Sequence, residues 1–340
     1  KRNFDTNDKN WINKWKGGVV PYQYDSSFPD VHKADFQCAI NEYHTKTCIR
    51  FVPRTGQSTF LTVGYNKDVC GVAYGTRVDI GDSCAGGACP VLIHELGHIL
   101  GYAHEQDRPD RDQYIGGPGL GPPLSTFETF CIMYDYLSIE HYEGECKYYG
   151  GPWVPKLSGV TKCGGGKSLS VLDVNKFNTC YDCKGCLGYR WMGIKCFDPS
   201  KHVKVEGGYD LDGTKFYVCR GWHHGDIIPG KGVFPSSGSP YCYVGHFNQE
   251  FTLFDFEVLT NSNGANLQWA VTPNVPAGAL GGGRVTDRTT YYIGRCFIKY
   301  NDKWSLAIGK IYANDSRNLR IPFGGREVDC VTEIGYLSCN

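Results

Sequence analysis

Residues 94–104 read HELGHILGYAH and contain three histidines and one glutamate. On a helix of about 3.6 residues per turn, His94 and His98 stand one turn apart on one face and can bind one metal ion. Gly101 lies where the helix must end, and without a Cβ it adopts the left-handed conformation that lets the chain return His104 as a third ligand. Three neutral imidazoles leave one position of a tetrahedral zinc ion for water, so the spacing predicts a catalytic metal site.

Glu95 follows the first histidine directly and can reach a water molecule at such an ion. A carboxylate in that place accepts the proton of the water as a general base, so the predicted chemistry is hydrolysis assisted by one Zn²⁺ ion. Two alternatives remain open. The first is that the histidines occur on an ordinary helix by chance. The second is that they bind a zinc ion but the protein has no catalytic activity.

Length and charge limit the classes of protein that need consideration. The chain has 340 residues, more than a usual single domain, so two domains are expected. Its 35 basic and 35 acidic residues cancel, which gives no reason to expect nucleic acid or an anionic membrane as a partner. No apolar run approaches the roughly 20 residues that span a bilayer, and no signal peptide opens the chain.

Cysteine usage indicates the compartment. Seventeen cysteines are scattered along the chain, which favours disulfides and a secreted protein. The odd number leaves at least one thiol unpaired or paired with another chain. A CxxCxxC run at Cys180, Cys183 and Cys186 suits zinc or disulfides, and disulfides are favoured because thiolate metal sites are less expected in an oxidising compartment.

The region before the zinc motif predicts a helix packed on a sheet. Apolar residues at helical spacing after Asp30, a candidate cap, predict a helix over residues 31–45. Residues rich in β-branched and aromatic side chains predict strands, and the helix with the zinc motif is expected to start near Cys89 or Pro90. The fold class is therefore α+β, with the metal in a cleft. The predicted strands are Ile49–Val52, Phe60–Tyr65 and Val78–Ile80.

Longer strings carry a specific family resemblance over about residues 15–183. Residues 94–114 (HELGHILGYAHEQDRPDRDQY), residues 17–22 (GGVVPY) and residues 47–55 (TCIRFVPRT) resemble signatures of the astacin family of metzincin endopeptidases. Leu169-Ser170, Asp173 and Tyr181-Asp182-Cys183 resemble its closing helix and final cysteine. The resemblance implies a zinc endopeptidase acting on proteins or peptides, with Cys48 paired to Cys183 and Cys70 paired to Cys84.

Residues 134–142 (YDYLSIEHY) resemble the family's YDYxSIMHY string, with Glu140 at the methionine position. A rival register that uses Met133 is inferior, because it places Asp135 where the tyrosine belongs. The resemblance implies that the Tyr142 phenol approaches zinc and hydrogen-bonds the oxyanion of the tetrahedral intermediate. The alternative is that Tyr142 is an ordinary packed tyrosine.

Glu140 is the main departure from the family pattern. A carboxylate beneath three imidazoles must be protonated or lie near positive charge. We hypothesise that it accepts hydrogen bonds from the metal ligands, which raises the basicity of the ligands and weakens the metal as a Lewis acid. The segment Ile115–Phe130 is also shorter than the family's usual stretch, which predicts an abbreviated substrate cleft.

The resemblance further implies that an inhibitory propeptide is removed and that the new amino terminus is buried beside Glu105. Lys1-Arg2 resembles a dibasic processing site, so the mature chain starts at Asn3 or, alternatively, at Lys1.

The second half of the chain is internally repeated. Tyr217–Arg220 (YVCR) recurs as Tyr292–Arg295 (YIGR), and Ile228–Lys231 (IPGK) recurs as Ala307–Lys310 (AIGK) with an offset four residues longer. Two copies of an all-β unit are therefore predicted over about 190–264 and 265–340. The predicted domains are residues 1–186 and residues 187–340. The copies resemble the DM-nine repeat, which occurs in tandem in invertebrate proteins that include mannose-binding lectins.

A carboxylate beside an ammonium group suits a pair of sugar hydroxyls, so the repeats contain candidate glycan sites. The alternative is that each lysine is a solvated turn residue and each aspartate a turn-former. Self-association through the repeats, giving a dimer, is a further possibility. The candidate residues are Asp210 or Asp212 with Lys231, and Asp287 with Lys310, assisted by Glu250 and Glu327.

Taken together, the sequence predicts a secreted zinc endopeptidase of astacin type, targeted to mannose-type glycans by a repeat module. The competing hypothesis is a glycan-binding protein whose peptidase fold retains zinc but has little or no activity.

Overall fold

The computed structural model describes residues 15–84, 87–117, 120–125, 128–142, 147–148, 151–331 and 333–340. These residues form two compact units. The first comprises the described residues up to 129 together with 134–156 and 161–183, and the second comprises 130–133, 157–160 and 184–340. None of the helices in the described ranges is long and apolar enough to cross a membrane.

A five-stranded sheet is the centre of the first unit. Its order is β2-β1-β3-β5-β4, and every neighbouring pair is parallel except β4 with β5. The three strands predicted from sequence are present with small shifts at their ends. The strands are β1 (Val19–Tyr24), β2 (Arg50–Pro53), β3 (Leu61–Tyr65), β4 (Gly71–Tyr74) and β5 (Arg77–Ile80).

Helices α1 (Lys33–Lys46), α2 (Ala88–Ile99) and α3 (Val171–Cys180) complete the first unit. Phe36, Ile40 and Tyr43, whose spacing predicted α1, are buried. The helix begins later than predicted, because Asp30 starts a short 3-10 turn and forms an ion pair with Lys33 instead of capping the helix. Four short strands make two small ladders, β6 (Ile115–Gly116) with β9 (Val154–Pro155) and β7 (Lys147–Tyr148) with β8 (Gly151–Pro152).

Disulfides brace the first unit. Cys48 pairs with Cys183 and Cys70 pairs with Cys84, as the family resemblance implied, and Cys38–Cys89 joins α1 to the first turn of α2. In the CxxCxxC run, Cys183 and Cys186 form disulfides, whereas Cys180 is the free thiol among the described cysteines. Burial raises the pKa of the Cys180 thiol to about 12, so it stays protonated and unreactive at neutral pH.

The second unit is all-β. Its described residues form one sheet of fourteen strands, in two series of seven. The first series is β10 (Arg190–Gly193), β11 (Glu206–Tyr209), β12 (Lys215–His223), β13 (Asp226–Val233), β14 (Tyr241–His246), β15 (Gln249–Leu253) and β16 (Glu257–Thr260). The second series is β17 (Leu267–Val271), β18 (Gly281–Arg284), β19 (Thr290–Tyr300), β20 (Lys303–Tyr312), β21 (Asp315–Phe323), β22 (Arg326–Cys330) and β23 (Gly335–Cys339).

The two series repeat the same strand pairings and exchange one strand each. Hairpin β12–β13 corresponds to β19–β20, and hairpin β14–β15 corresponds to β21–β22. Strand β11 pairs with β12 of its own series and with β20 of the other, while β18 pairs with β19 and with β13. The apolar core is correspondingly shared, since Phe216 and Val218 of one series pack in one cluster with Ile293 and Ile308 of the other.

Candidate metal centre

Helix α2 carries the first two histidines. Its position is fixed by three hydrogen bonds, two to carbonyl oxygens of the helix and one to the carbonyl oxygen of the next residue. The Trp15 indole donates to Ile99 O at 2.8 Å, the Tyr43 hydroxyl donates to Ile93 O at 2.7 Å, and the Tyr181 hydroxyl donates to Leu100 O at 2.9 Å. Gly101 then takes a φ of 97°, the left-handed conformation that the sequence required at this position. The chain therefore reverses at the point where His104 must return.

The three imidazoles converge on one point. His98 Nε2 lies 3.1 Å from His94 Nε2 and 3.2 Å from His104 Nε2. The other ring nitrogen of each α2 histidine faces a carbonyl oxygen, His94 Nδ1 at 2.8 Å from Ile139 O and His98 Nδ1 at 2.7 Å from Tyr102 O. Because a carbonyl accepts a hydrogen, both protons sit on Nδ1, and the Nε2 lone pairs are directed to the common point.

This donor set fits zinc. Among the described residues, His94, His98 and His104 form the one group of three whose ligand atoms lie within 4.8 Å of one another. Nitrogens 2.0–2.1 Å from a tetrahedral zinc ion lie about 3.3 Å apart, close to the spacing observed. Burial, with a contribution from His104, lowers the pKa of His94 to about 4, so this imidazole is neutral, as a metal ligand must be.

Glu95 and Tyr142 are both positioned at this centre. Glu95 is buried on α2 beside His94, and Gly71 of β4 leaves room for it, since a Cβ there would come within 3.1 Å of Glu95 Cγ. The Tyr142 ring lies 4.4 Å from the His104 ring, centroid to centroid, and the Tyr142 backbone N–H donates to Gln106 Oε1 at 3.1 Å. The structure therefore brings both candidate catalytic groups to the three histidines.

The turn beneath the imidazoles is held by one buried carboxylate on α3. Asp173 accepts from Ser138 Oγ at 2.6 Å and from Ile139 N at 3.0 Å, so it sets the orientation of the carbonyl that receives His94 Nδ1–H. Asp173 also closes the capping box of α3 with Ser170. Burial is the main cause that raises the pKa of Asp173 to about 6.

Glu140 follows in the same turn and lies under the ligands. Its side chain is fully buried, with Oε2 3.3 Å from His94 Nδ1 and 3.5 Å from His98 Nδ1. Those nitrogens donate to carbonyl oxygens, and within the described part of the chain neither Glu140 oxygen has a hydrogen-bond partner. Burial, then the carboxylates of Asp173 and Glu95, raises the pKa of Glu140 well above its usual value.

Gly97 of α2 provides the space that Glu140 occupies, because a Cβ on residue 97 would overlap Glu140 Oε1. Met133, the alternative for this position, belongs to the second unit and donates its backbone N–H to Glu257 of that same unit. The register that places Glu140 beneath the ligands is therefore the one that the structure adopts.

Glu105, next to the third histidine, is almost fully buried and has two cationic partners. Arg108 Nη1 lies 3.0 Å from its Oε1, and Lys176 of α3 donates to its Oε2. Lys1, Arg2 and Asn3, on which the prediction of a buried mature amino terminus rests, lie outside the described residues, as does part of 115–130. Sequence patterns did not reveal Lys176, because a lysine on an amphipathic helix is normally assigned to its exposed face.

In the second unit, the two candidate lysines are buried beside glutamates. Lys231 Nζ lies 3.1 Å from Glu250 Oε1, and Lys310 Nζ lies 2.9 Å from Glu327 Oε1. The residues that were expected to assist are thus the direct partners. The alternative that each lysine is a solvated turn residue is wrong, because only 4% of Lys231 and 1% of Lys310 is exposed.

For two of the aspartates the alternative prediction, that they form turns, is confirmed. Asp212 and Asp287 are turn residues, which accept from the backbone N–H groups of Thr214 and Thr289. The predicted pair of Asp287 with Lys310 is therefore replaced by Glu327, since a carboxylate on strand β22 faces the lysine more directly than one in a turn. Asp210 remains close enough to Lys231 to act on it electrostatically.

Aromatic rings lie close to each lysine, and each lysine also contacts a residue of the opposite series. Lys231 Nζ lies 5.1 Å from the ring centroids of Phe216, Tyr243 and Phe323. Lys310 Nζ lies 5.3 Å from Tyr291 and donates to Gly245 O at 2.6 Å. Phe323 and Gly245 each belong to the series opposite to the lysine that they contact.

Comparisons with known proteins find one family match in each of the two units. Residues 7–116 match the family model for Astacin, a peptidase family, and residues 210–330 match the DM9 repeat. Zinc metalloproteinase nas-4 of Caenorhabditis elegans is 31% identical over 195 residues, which cover 52% of this chain and 61% of that protein. Embryonic protein UVS.2 of Xenopus laevis is 34% identical over 189 residues, which cover 50% of this chain and 36% of that protein.

Among solved structures, High choriolytic enzyme 1, a hatching enzyme zinc-protease from Oryzias latipes, is 28% identical with a TM-score of 0.40. The match covers 49% of this chain and 90% of that one. The chain spans about half the length of the curated relatives it matches.

We expect Lys176→Met to lower the free energy of unfolding by about 3 kcal/mol, because it leaves Glu105 with one cation in a buried site. Lys33→Met removes an exposed ion pair with Asp30 and should leave the free energy of unfolding unchanged within the error of the measurement. Chemical unfolding of both variants beside the wild type measures the difference. Equal stabilities for the two variants would contradict a structural role for the Lys176–Glu105 pair.

Proposed function

We propose that the protein is a zinc-dependent endopeptidase, because residues 7–116 match the Astacin peptidase family and residues 210–330 match the DM9 repeat. The observation that carries the proposal is the convergence of three Nε2 atoms at 3.1 and 3.2 Å beside a buried glutamate. Secretion is part of the proposal and is supported by the disulfides that brace both units.

The chain's own residues divide the work of peptide hydrolysis. His94, His98 and His104 would hold one zinc ion, which supplies Lewis acidity that acidifies water and polarises a carbonyl. Glu95 accepts the proton of the attacking water and returns it to the leaving amine. Tyr142 donates a hydrogen bond to the oxyanion, from a ring already in contact with His104.

Glu140 tunes this centre in the proposed enzyme. Its carboxyl group lies beside Nδ1 of two ligands. Burial raises the pKa of this carboxyl group, and a bound cation would favour its ionised form. The negative charge would then strengthen binding of the cation and reduce the cation's pull on substrate electrons. The competing function, a zinc-binding lectin with weak or no peptidase activity, rests on the same residue. Both hypotheses require zinc, and they differ in the rate of cleavage.

The repeat region is proposed to bind mannose-type glycans and so to concentrate the peptidase on glycoconjugates. The proposed domain boundary is residue 186/187, with copies over about 190–264 and 265–340. Each lysine–glutamate pair offers a donor beside an acceptor, since the ammonium group lies 3.1 Å from Glu250 Oε1 in one pair and 2.9 Å from Glu327 Oε1 in the other. Lys231 with Glu250 is the more exposed pair, so it is the leading glycan site. Self-association through this region would appear as a dimer in light scattering.

The first test is peptide cleavage by the zinc-loaded protein with and without a chelator. We expect Glu95→Gln to lower kcat by at least about 100-fold with unchanged zinc content, because the amide keeps the shape but accepts no proton. Tyr142→Phe should lower kcat by a similar factor with little change in KM. Glu206→Gln, an exposed change in the repeat region, should leave the rate unaltered. Absence of chelator-sensitive cleavage by zinc-loaded wild type would favour the lectin function.

A second test separates the charge of Glu140 from its shape. We expect Glu140→Met to weaken zinc binding by about 10-fold and to raise kcat at saturating zinc, because the negative charge is removed. Glu140→Gln keeps the shape and loses the charge, so it should follow the methionine variant. Wild-type zinc affinity and rate in both variants would show that Glu140 has no influence on the metal.

Glycan binding is tested on an array and then by titration with the bound sugar. We expect Lys231→Met to weaken binding by about 10-fold or more, since it removes a charged hydrogen-bond donor. Lys310→Met should have the smaller effect, because its pair is less exposed. Melting temperatures control for unfolding. Failure of the folded wild type to bind any mannose-containing glycan would refute this part of the proposal.

A further inference from the structure

Two hairpin turns of the first repeat series bring three histidines together. His223 ends β12, His224 begins the turn to β13, and His246 ends β14. The ring centroids of His223 and His224 lie 4.6 Å apart, those of His223 and His246 5.3 Å apart, and those of His224 and His246 6.4 Å apart. All three belong to the second unit, so the cluster is separate from the peptidase histidines.

Two nitrogen atoms of this cluster are buried and unsatisfied. His223 Nε2 and His246 Nδ1 have no hydrogen-bond partner in the described part of the protein. His246 is 7% exposed, so its ring is more than nine-tenths buried. A buried polar atom without a partner is unfavourable, so a ligand that binds these nitrogen atoms would stabilise the protein.

Asp226 orients the His246 ring. Its Oδ2 lies 3.4 Å from His246 Nε2, and the carboxylate is itself fixed by the Thr286 backbone N–H at 2.9 Å and by the Tyr291 hydroxyl at 2.8 Å. A carboxylate beside Nε2 favours the proton on that nitrogen and leaves the Nδ1 lone pair free. This carboxylate–histidine arrangement is the one that commonly supports a metal-ligating imidazole.

The second series shows that the fold does not require these imidazoles. His246 is the last residue of β14, and the last residue of the corresponding strand β21 is Phe323, an apolar ring against Lys231. The hairpin that corresponds to β12–β13 is longer and turns at Asn301 and Asp302 instead of His224. The histidines are therefore a feature of one series and not of the repeat scaffold.

Charge near the cluster is balanced. Lys310 acts electrostatically on both His223 and His246 and opposes a cation. Its ammonium group is paired with Glu327 at 2.9 Å, and Asp226 adds a second carboxylate on the side of His246. One ammonium group and two carboxylates therefore lie near the three imidazoles, and these charges permit a divalent cation to bind.

We propose that His223, His224 and His246 bind one divalent transition-metal ion, with zinc as the first candidate, at a second metal site in the repeat region. Neutral imidazoles are the ligands that zinc, copper and nickel share. The ligand atoms of the three rings are not yet within 4.8 Å of one another, unlike those of the peptidase site. His224 is exposed in a turn, so rotation of its side chain on metal binding completes the site, and the affinity is lower than at the preformed centre.

The test is the number of zinc ions bound per full-length chain, measured by equilibrium dialysis of metal-stripped protein against buffered zinc and then by metal analysis. We expect two ions in the wild type, the second with weaker affinity. His246→Phe, which installs the residue of the other series, should bind one ion and retain the wild-type peptidase rate. His224→Asn, an exposed change that tolerates the observed φ of 48°, should also lose the weaker ion.

His94→Ala provides the converse control, since it should lose the tighter ion and keep the weaker one. One ion in the wild type and none in His94→Ala would overturn this proposal while leaving the peptidase zinc intact. Two ions in His246→Phe would equally overturn it, because the second ion would then be bound elsewhere.

Discussion

The candidate metal centre of the first unit depends on two carbonyl oxygens that accept the Nδ1 protons of the α2 histidines. An imidazole presents a metal with a lone pair only on the nitrogen that carries no hydrogen, so Ile139 O and Tyr102 O decide which nitrogens face the common point. Ile139 is held in turn by Asp173, and Tyr102 follows the left-handed Gly101. The geometry of the metal centre is therefore set by residues from α3 and from the chain reversal, well outside the motif itself.

Much of this unit could be predicted from sequence, because its signals are local. Helix periodicity located Phe36, Ile40 and Tyr43 in the core, and the requirement for a sharp reversal located Gly101. The partners of Glu105 could not be found in the same way. Lys176 lies 71 residues along the chain from that glutamate and on a helix whose pattern indicates solvent for a lysine. Its burial is a property of the assembled unit.

In the repeat region, too, contacts between residues distant in sequence could not be predicted. Internal similarity predicted an all-β repeat and singled out Lys231 and Lys310, yet the carboxylates assigned to them were partly wrong. Residues near a turn in sequence, such as Asp287, satisfy the turn itself, whereas Glu327 reaches Lys310 across a strand register that no local pattern encodes. The histidine cluster likewise has no local sequence signal, since His223 and His246 meet only when two hairpins pack together.

The exchange of β11 and β18 between the two series means that neither series can be lost alone during evolution. Each series contributes one strand that pairs with the other series. The first series alone would have unpaired edges at β11 and β13, and the second series alone would have them at β18 and β20. Unpaired strand edges promote aggregation. The duplication is in that sense irreversible: neither half can be deleted without the other losing its partner. A side chain at a strand end can differ without loss of these pairings, as His246 at the end of β14 and Phe323 at the end of β21 show.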